Sequence, residues 1–256
     1  MKLLVDIGNS RIKWALWSGQ WSDDNTSAVL EQTHAASYSG QPLHDWLEQH
    51  FAGLPVTTEV YVASVAHADT NASFSQWQQQ QRQCRPVFAR TTRSAAGVQN
   101  GYNVAEQLGV DRWLALLAAR RLHAGNVCVI DCGTAVTLDL LNSQGEHRGG
   151  VIAPGVELMQ QALVQGTVGV RLDAGDKTMQ IPARDTEAAV QAGTRLAVVG
   201  LIEHVLDTAK DHMQGEVTAF ITGGMAADIM AVCNKPLIHV ADLVLQGLAC
   251  YSETNA

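Results

Sequence analysis

The chain opens on an apolar run, Leu3-Leu4-Val5-Asp6-Ile7, then Gly8-Asn9-Ser10, then Ile12-Lys13-Trp14-Ala15-Leu16-Trp17. An apolar strand, a Gly/Asn turn and an alternating strand predict a β-hairpin. Residues 19–42 are rich in Ser, Gly, Asp and Asn and read as a polar, irregular connection. Leu43, Trp46, Leu47 and His50 recur at helical spacing and predict a helix over 43–51. Residues 60–65 read as a strand. Residues 70–83 read as a helix carrying Phe74 and Trp77, with the run from Gln78 to Gln81 on its exposed side. The pattern from Val104 to His123 is helical, and Gly125-Asn126 ends it. Three strands follow, over 127–131, 135–141 and 147–152. Helices are expected over 156–164 and 186–213, a strand over 217–222, and a helix from Gly223-Gly224 through Val232. A short strand over 237–240 and a helix over 242–251 complete the chain.

One internal comparison organises the rest. Val5-Asp6-Ile7-Gly8-Asn9-Ser10 stands beside Ile130-Asp131-Cys132-Gly133-Thr134-Ala135. Both put an Asp at the end of a buried strand, a Gly two residues later, and a polar residue after that. Both continue into a returning strand. The copies lie about half the chain apart, which predicts a duplicated pair of domains, 1–115 and 116–256, with a cleft between them.

The composition permits this and narrows the function. Of 256 residues, 46% are hydrophobic and 16% charged, which excludes a disordered chain. The net charge of −8 argues against nonspecific binding to nucleic acid and means that a polyanionic substrate needs cations or clustered donors. No uninterrupted apolar run is long enough to cross a bilayer, and Asp6 breaks the N-terminal one, so a cytoplasmic protein without a membrane partner is expected. Cys84, Cys128, Cys132, Cys233 and Cys250 are odd in number and carry no zinc spacing, so all five are expected reduced and structural. The nine histidines show no metal-ligand pairing, and most of the six tryptophans read as packing. A P-loop, a Gly-x-Gly-x-x-Gly and a Gly-x-Ser-x-Gly are absent.

The turns themselves suggest chemistry. Gly8 and Gly133 allow a tight turn whose N–H groups can cradle phosphate oxygens. Asp6 and Asp131 can hold a cation directly or through water, as Mg²⁺ uses one or two carboxylates plus substrate phosphates. A single such hairpin reads first as a plain turn with Asp as turn former. Two in matching contexts favour a clamp for a nucleoside triphosphate. Gly109-Val110-Asp111-Arg112 offers a carboxylate that can accept a hydroxyl proton beside an anion-binding guanidinium. On spacing alone it reads first as an exposed charge pair on a surface helix, with Gly109 marking a helix start. Gly149-Gly150-Val151-Ile152-Ala153-Pro154-Gly155 and Thr222-Gly223-Gly224-Met225 lead from strands into helices, where a ligand or simply another backbone approaches.

Together, Asp6-Ile7-Gly8-Asn9-Ser10, Gly109-Val110-Asp111-Arg112, Asp131-Cys132-Gly133-Thr134-Ala135-Val136-Thr137 and Gly149 to Gly155 resemble the type III pantothenate kinase family in order and spacing, over essentially the whole chain. The resemblance implies an α/β protein of two duplicated ribonuclease-H-like domains, the actin-like ATPase fold of the acetate and sugar kinase superfamily. It implies a homodimer and ATP-dependent phosphorylation of pantothenate to 4′-phosphopantothenate, the first step of coenzyme A synthesis, with Mg²⁺ and a monovalent cation, K⁺ or NH₄⁺. Residue by residue, Asp6, Ile7, Gly8, Asn9, Ser10, Arg11, Ile12 and Lys13 match the first ATP-phosphate hairpin, with Asp6 placing metal and phosphate. Thr134 matches the second phosphate contact and Asp131 the monovalent-cation ligand. Tyr102, Gly109, Val110, Asp111 and Arg112 match the pantothenate stretch, with Asp111 as catalytic base, and Thr186 matches a substrate contact opening a long helix.

Arg11 and Lys13 are charged where many relatives are not, and residues 19–42 match nothing in the family pattern. The apolar stretch from Trp113 to Leu117 is a candidate dimer surface. Two other readings compete. One is a non-catalytic transcription accessory protein on the same scaffold, which predicts nucleotide binding without turnover. The other is a kinase for a different small alcohol.

Overall fold

The computed structural model describes residues 1–55, 59–171 and 181–254. It separates into two compact units, one of residues 1–124, 144–147 and 242–256, the other of 125–143 and 148–241.

The first unit starts with the expected hairpin, β1 (Lys2–Ile7) against β2 (Arg11–Trp21), with Asp6 opposite Lys13 and Ile7 opposite Ile12. The irregular connection expected over 19–42 is instead the end of β2 and a full strand, β3 (Ala28–Ser37). Its pattern hides it because β3 is the outer strand of the sheet and mostly exposed, so it never needed an alternating apolar face. Helix α1 (Leu43–Phe51), β4 (Glu59–Ser64), α2 (Ala68–Arg82) and the short β5 (Val87–Phe88) follow. The sheet order is β3-β2-β1-β4-β5, with β1 and β4 parallel. Val5, Ile7, Trp14, Trp46, Phe51, Phe74 and Trp77 pack one core. Gln78, expected outside, is fully buried on the Trp77 side of α2.

A two-stranded ribbon, β6 (Ser94–Ala95) with β7 (Val98–Gln99), leads into α3 (Val110–Leu122). The helix predicted from Val104 begins only at Val110. A short 3₁₀ turn over Ala105–Gln107 precedes it, and extended backbone at Leu108 and Gly109 forms its entry.

The second unit repeats the plan. Its elements are β8 (Asn126–Cys132), β9 (Ala135–Leu141), β10 (His147–Pro154), α4 (Val156–Gly166), α5 (Thr186–Met213), β11 (Val217–Thr222), α6 (Ala226–Met230) and β12 (Ile238–His239). The sheet order β10-β9-β8-β11-β12 reproduces that of the first sheet position for position. Antiparallel β8–β9 matches β1–β2, and parallel β8–β11 matches β1–β4. Helix α5 is long and apolar enough to cross a membrane by length and composition. Here it gives Val198, Val199, Ile202 and Leu206 to a core shared with Ile130, Leu138 and Ile221.

The last helix, α7 (Leu243–Thr254), returns to the first unit and packs along α3. A division at 115/116 falls inside α3, which runs unbroken. The stretch Trp113 to Leu117, read as a dimer candidate, is buried in this packing and presents no outer face.

Candidate active site

Both acid-tipped turns form as expected, with one difference. In the first, the Gly8 N–H donates to the Arg11 carbonyl at 2.9 Å across a three-residue turn, Gly8-Asn9-Ser10. In the second, the Gly133 N–H donates to the Ala135 carbonyl at 3.0 Å across a two-residue turn, Gly133-Thr134. The first turn is braced from β3. Tyr38 Oη donates to the Gly8 and Asn9 carbonyls at 2.8 and 3.0 Å, and Ser37 Oγ to the Ser10 carbonyl at 3.1 Å. Burial raises the Tyr38 pKa, which keeps the phenol protonated as those bonds require. Among the described residues, the N–H groups of the exposed Asn9 and Ser10 have no protein acceptor. The turn therefore aims its acceptors inward and leaves donors outward, as an anion cradle needs.

Two later glycine motifs converge on the second turn. The Gly155 N–H donates to the Thr134 carbonyl at 2.9 Å, and a Cβ on Gly155 would lie 2.3 Å from the Gly133 carbonyl oxygen. The Met225 N–H donates to the Cys132 carbonyl at 3.0 Å. Gly223 has φ +97°, and a Cβ there would lie 2.5 Å from Asp131 Oδ1. So both later glycine motifs pack their backbone closely, Gly155 against the turn and Gly223 against the Asp131 carboxylate. Burial, with Asp131 adjacent, pushes the Cys132 thiol up to about 12, so it is a neutral packing group and no nucleophile at neutral pH.

Tyr102, Gly109, Asp111 and Arg112 assemble in the first unit. Gly109 is the residue before α3, and Asp111 lies in the first helical turn, where the helix end favours negative charge. The Asp111 Oδ1 accepts the Arg112 N–H at 2.8 Å, and a Cβ on Gly109 would lie 2.6 Å from that oxygen. Arg112 is no exposed partner of Asp111: it is 7% exposed, and its Nη1 donates to Tyr102 Oη at 2.9 Å.

The sequence reading missed what holds Tyr102. Arg93 Nη1 donates to the carbonyls of Asn100 and Tyr102 at 3.1 and 2.7 Å, and its Nη2 to Asn103 at 3.0 Å. The buried Asn100 accepts the Tyr102 N–H at 3.0 Å. His147 stacks on the ring. The β6–β7 ribbon leaves only two-residue strands in the pattern, so no periodicity pointed to this support.

Thr186 belongs to the second unit. It is exposed at the start of α5, just after Asp185, whose side chain caps the helix by accepting the Ala188 N–H at 2.8 Å. It lines an apolar groove of about 690 Å³ between α4 and α5, with Leu158, Met159, Ala189, Val190 and Gly193.

The family model for type III pantothenate kinase matches residues 2–208. A type III pantothenate kinase of Nitrosococcus oceani is 36% identical, covering 97% of this chain and 92% of the relative. One from Chromobacterium violaceum is 36% identical over 99% and 100%. Among solved structures, a Baf family protein from Campylobacter jejuni gives TM-score 0.60 at 16% identity, over 99% of this chain and 100% of that one. A glucokinase from an Antarctic psychrotroph gives 0.53 at 13%, over 99% and 98%. These two likenesses, with the repeated sheet order, establish the expected actin-like fold of two ribonuclease-H-like domains.

Proposed function

The chain belongs to the type III pantothenate kinase family and phosphorylates pantothenate with ATP, in coenzyme A biosynthesis; from that premise we propose that Asp111 is its general base. The carrying observation is the carboxylate of Asp111 in the space that Gly109 leaves, one residue from the buried Arg112. The primary hydroxyl of pantothenate gives its proton to Asp111 as its oxygen bonds the γ-phosphorus. The bond from that phosphorus to the β-phosphate oxygen breaks, and ADP leaves. Arg112 and Tyr102 hold the acceptor, with the Arg112 guanidinium suited to its carboxylate. Gly109 and Val110 form the backbone beside it, and Thr186 adds a further contact.

In the same proposal, residues Asp6 to Lys13 hold the ATP phosphates, the N–H groups of Asn9 and Ser10 supplying neutral donors and Thr134 the second contact. Among the described residues no cluster of three His, Cys, Asp or Glu side chains could cage a metal. Mg²⁺ would be held by Asp6 together with phosphate oxygens, as it uses one or two carboxylates plus substrate phosphates. The Asp131 carboxylate, against which Gly223 packs closely, is the ligand assigned to a monovalent cation, K⁺ or NH₄⁺. Such ions supply charge neutralisation for phosphoryl transfer in an acidic protein without a Walker lysine.

A homodimer and a cytoplasmic location complete the proposal. The dimer is supported by exposed apolar side chains along α4 and α5, Leu158, Leu163, Val164 and Leu196 among them. Cytoplasmic placement is supported by the family, a biosynthetic kinase of small-molecule substrates. The reading as a non-catalytic accessory protein is disfavoured by relatives named as kinases over nearly the full chain. The test is coupled ADP release with pantothenate and Mg²⁺, with and without K⁺. Pantothenate-dependent turnover that rises with K⁺ is expected. Turnover indifferent to every monovalent cation removes the Asp131 assignment.

A further inference from the structure

We infer that His147 is a positioning residue for the acceptor site, its imidazole fixing the plane of the Tyr102 ring and, through it, the Arg112 guanidinium. The inference rests on the proposed assignment of Tyr102 and Arg112 to pantothenate. The backbone of Tyr102 is already held, its N–H by Asn100 and its carbonyl by Arg93. Those bonds leave both side-chain torsions of the phenol free. Two contacts hold the ring itself: Arg112 Nη1 at its Oη, and the His147 imidazole, whose centroid lies 5.7 Å away with the planes 14° apart. Such offset stacks are favoured by the ring quadrupoles beyond the area they bury.

The imidazole can serve as a fixed wall because it does not sit on a loose loop. His147 is 3% exposed. The turn before it is tied down, the Gln99 N–H donating to the Gly145 carbonyl at 2.7 Å, with a bridge between Gln99 and Glu146. Arg112 Nη1 bonds Tyr102 Oη at 2.9 Å, and its Cζ lies 5.5 Å from the Tyr102 ring centroid. Tilting the ring therefore moves the oxygen that Arg112 bonds and the face it lies over. A misaimed guanidinium weakens acceptor binding without touching the nucleotide turns.

Steady-state kinetics of the full chain test this with His147→Ala, His147→Gln, His147→Phe, Tyr102→Ala and the double variant Tyr102→Ala/His147→Ala. Loss of the stack in His147→Ala or His147→Gln raises KM for pantothenate about three- to tenfold, with KM for ATP within about twofold of wild type. His147→Phe keeps a stacking ring and returns pantothenate KM to within about twofold of wild type. The double variant is no worse than Tyr102→Ala, because His147 acts through that ring. Should His147→Ala not fold, the contrast between His147→Gln and His147→Phe decides. Equal losses for pantothenate and ATP, additive effects in the double variant, or no rescue by Phe overturn the inference. If Tyr102→Ala raises pantothenate KM and the His147 variants do not, the positioning role alone falls. A silent Tyr102→Ala removes the acceptor-site assignment and this inference with it.

Discussion

Gly109 leaves open the space in which the Asp111 carboxylate sits: a Cβ at 109 would lie 2.6 Å from Asp111 Oδ1. A methyl there forces the carboxylate to turn away, while the helix it precedes remains. Gly109→Ala is expected to lower kcat by about 10²-fold, the scale of a misplacement near 1 Å, with the thermal midpoint little changed. Steady-state kinetics beside a melting curve check this. Wild-type kcat in the folded variant would separate Gly109 from the base.

Arg112 and Tyr102 share one hydrogen bond of 2.9 Å in a nearly closed setting. A lysine cannot reproduce a planar fork that reaches both the phenol and a carboxylate. Arg112→Lys is expected to raise KM for pantothenate about 10- to 100-fold, the worth of a charge-assisted bond. KM for ATP stays near wild type. An equal rise for both substrates would show that Arg112 supports the whole fold and not the acceptor.

Gly155 packs with its Cα against the Gly133 and Thr134 carbonyls, whereas Gly149 has open space despite φ +97°. Gly155→Ala must push backbone apart and is expected to destabilise by about 1–3 kcal/mol. Because the displaced backbone is the second turn, KM for ATP rises with it. Gly149→Ala bears only the left-handed strain, about 1–2 kcal/mol, with KM for ATP unchanged. Urea titration and ATP kinetics of the pair separate the two effects.

Cys132 and Cys250 lose solvent on folding, which pushes their thiols from 9.0 up to about 12 and about 11. In the unfolded chain they ionise near the ordinary value, while the fold holds them protonated. The stability they contribute is thus whole below about pH 9 and is lost as pH climbs toward the folded values, near 1 kcal/mol per thiol per pH unit. Urea midpoints measured from pH 8 to 11 should fall, and Cys250→Ala should flatten part of the slope. A midpoint that holds level to pH 11 contradicts this.

The hairpins were legible because each strand is buried and each turn is marked by glycine. Asp6, Asp131 and the repeat between them followed directly, and the matching sheet orders bear the duplication out. The β3 strand was not legible, since an outer strand with polar faces carries no alternation. The start of α3 was misread because Val104, Ala105 and Leu108 continue the apolar pattern while their backbone does not continue the helix. Trp113 to Leu117 looked like a surface for a partner until α7, distant in sequence, was found packed along α3. Such a contact leaves no trace in local pattern. Arg93 and Asn100 were invisible because they act within one irregular loop that has no periodicity, and His147 because its stack on Tyr102 comes from a distant part of the chain.

Phosphoryl transfer here turns on the proton of the acceptor hydroxyl, and Asp111→Asn measures it most directly. Pantothenate binding by calorimetry and pantothenate-dependent ADP release are followed on the same preparation. The variant is expected to bind pantothenate within about threefold of wild type, while kcat falls by about 10²- to 10⁴-fold, the contribution of a general base. A folded Asp111→Asn protein that turns over near the wild-type rate contradicts the assignment.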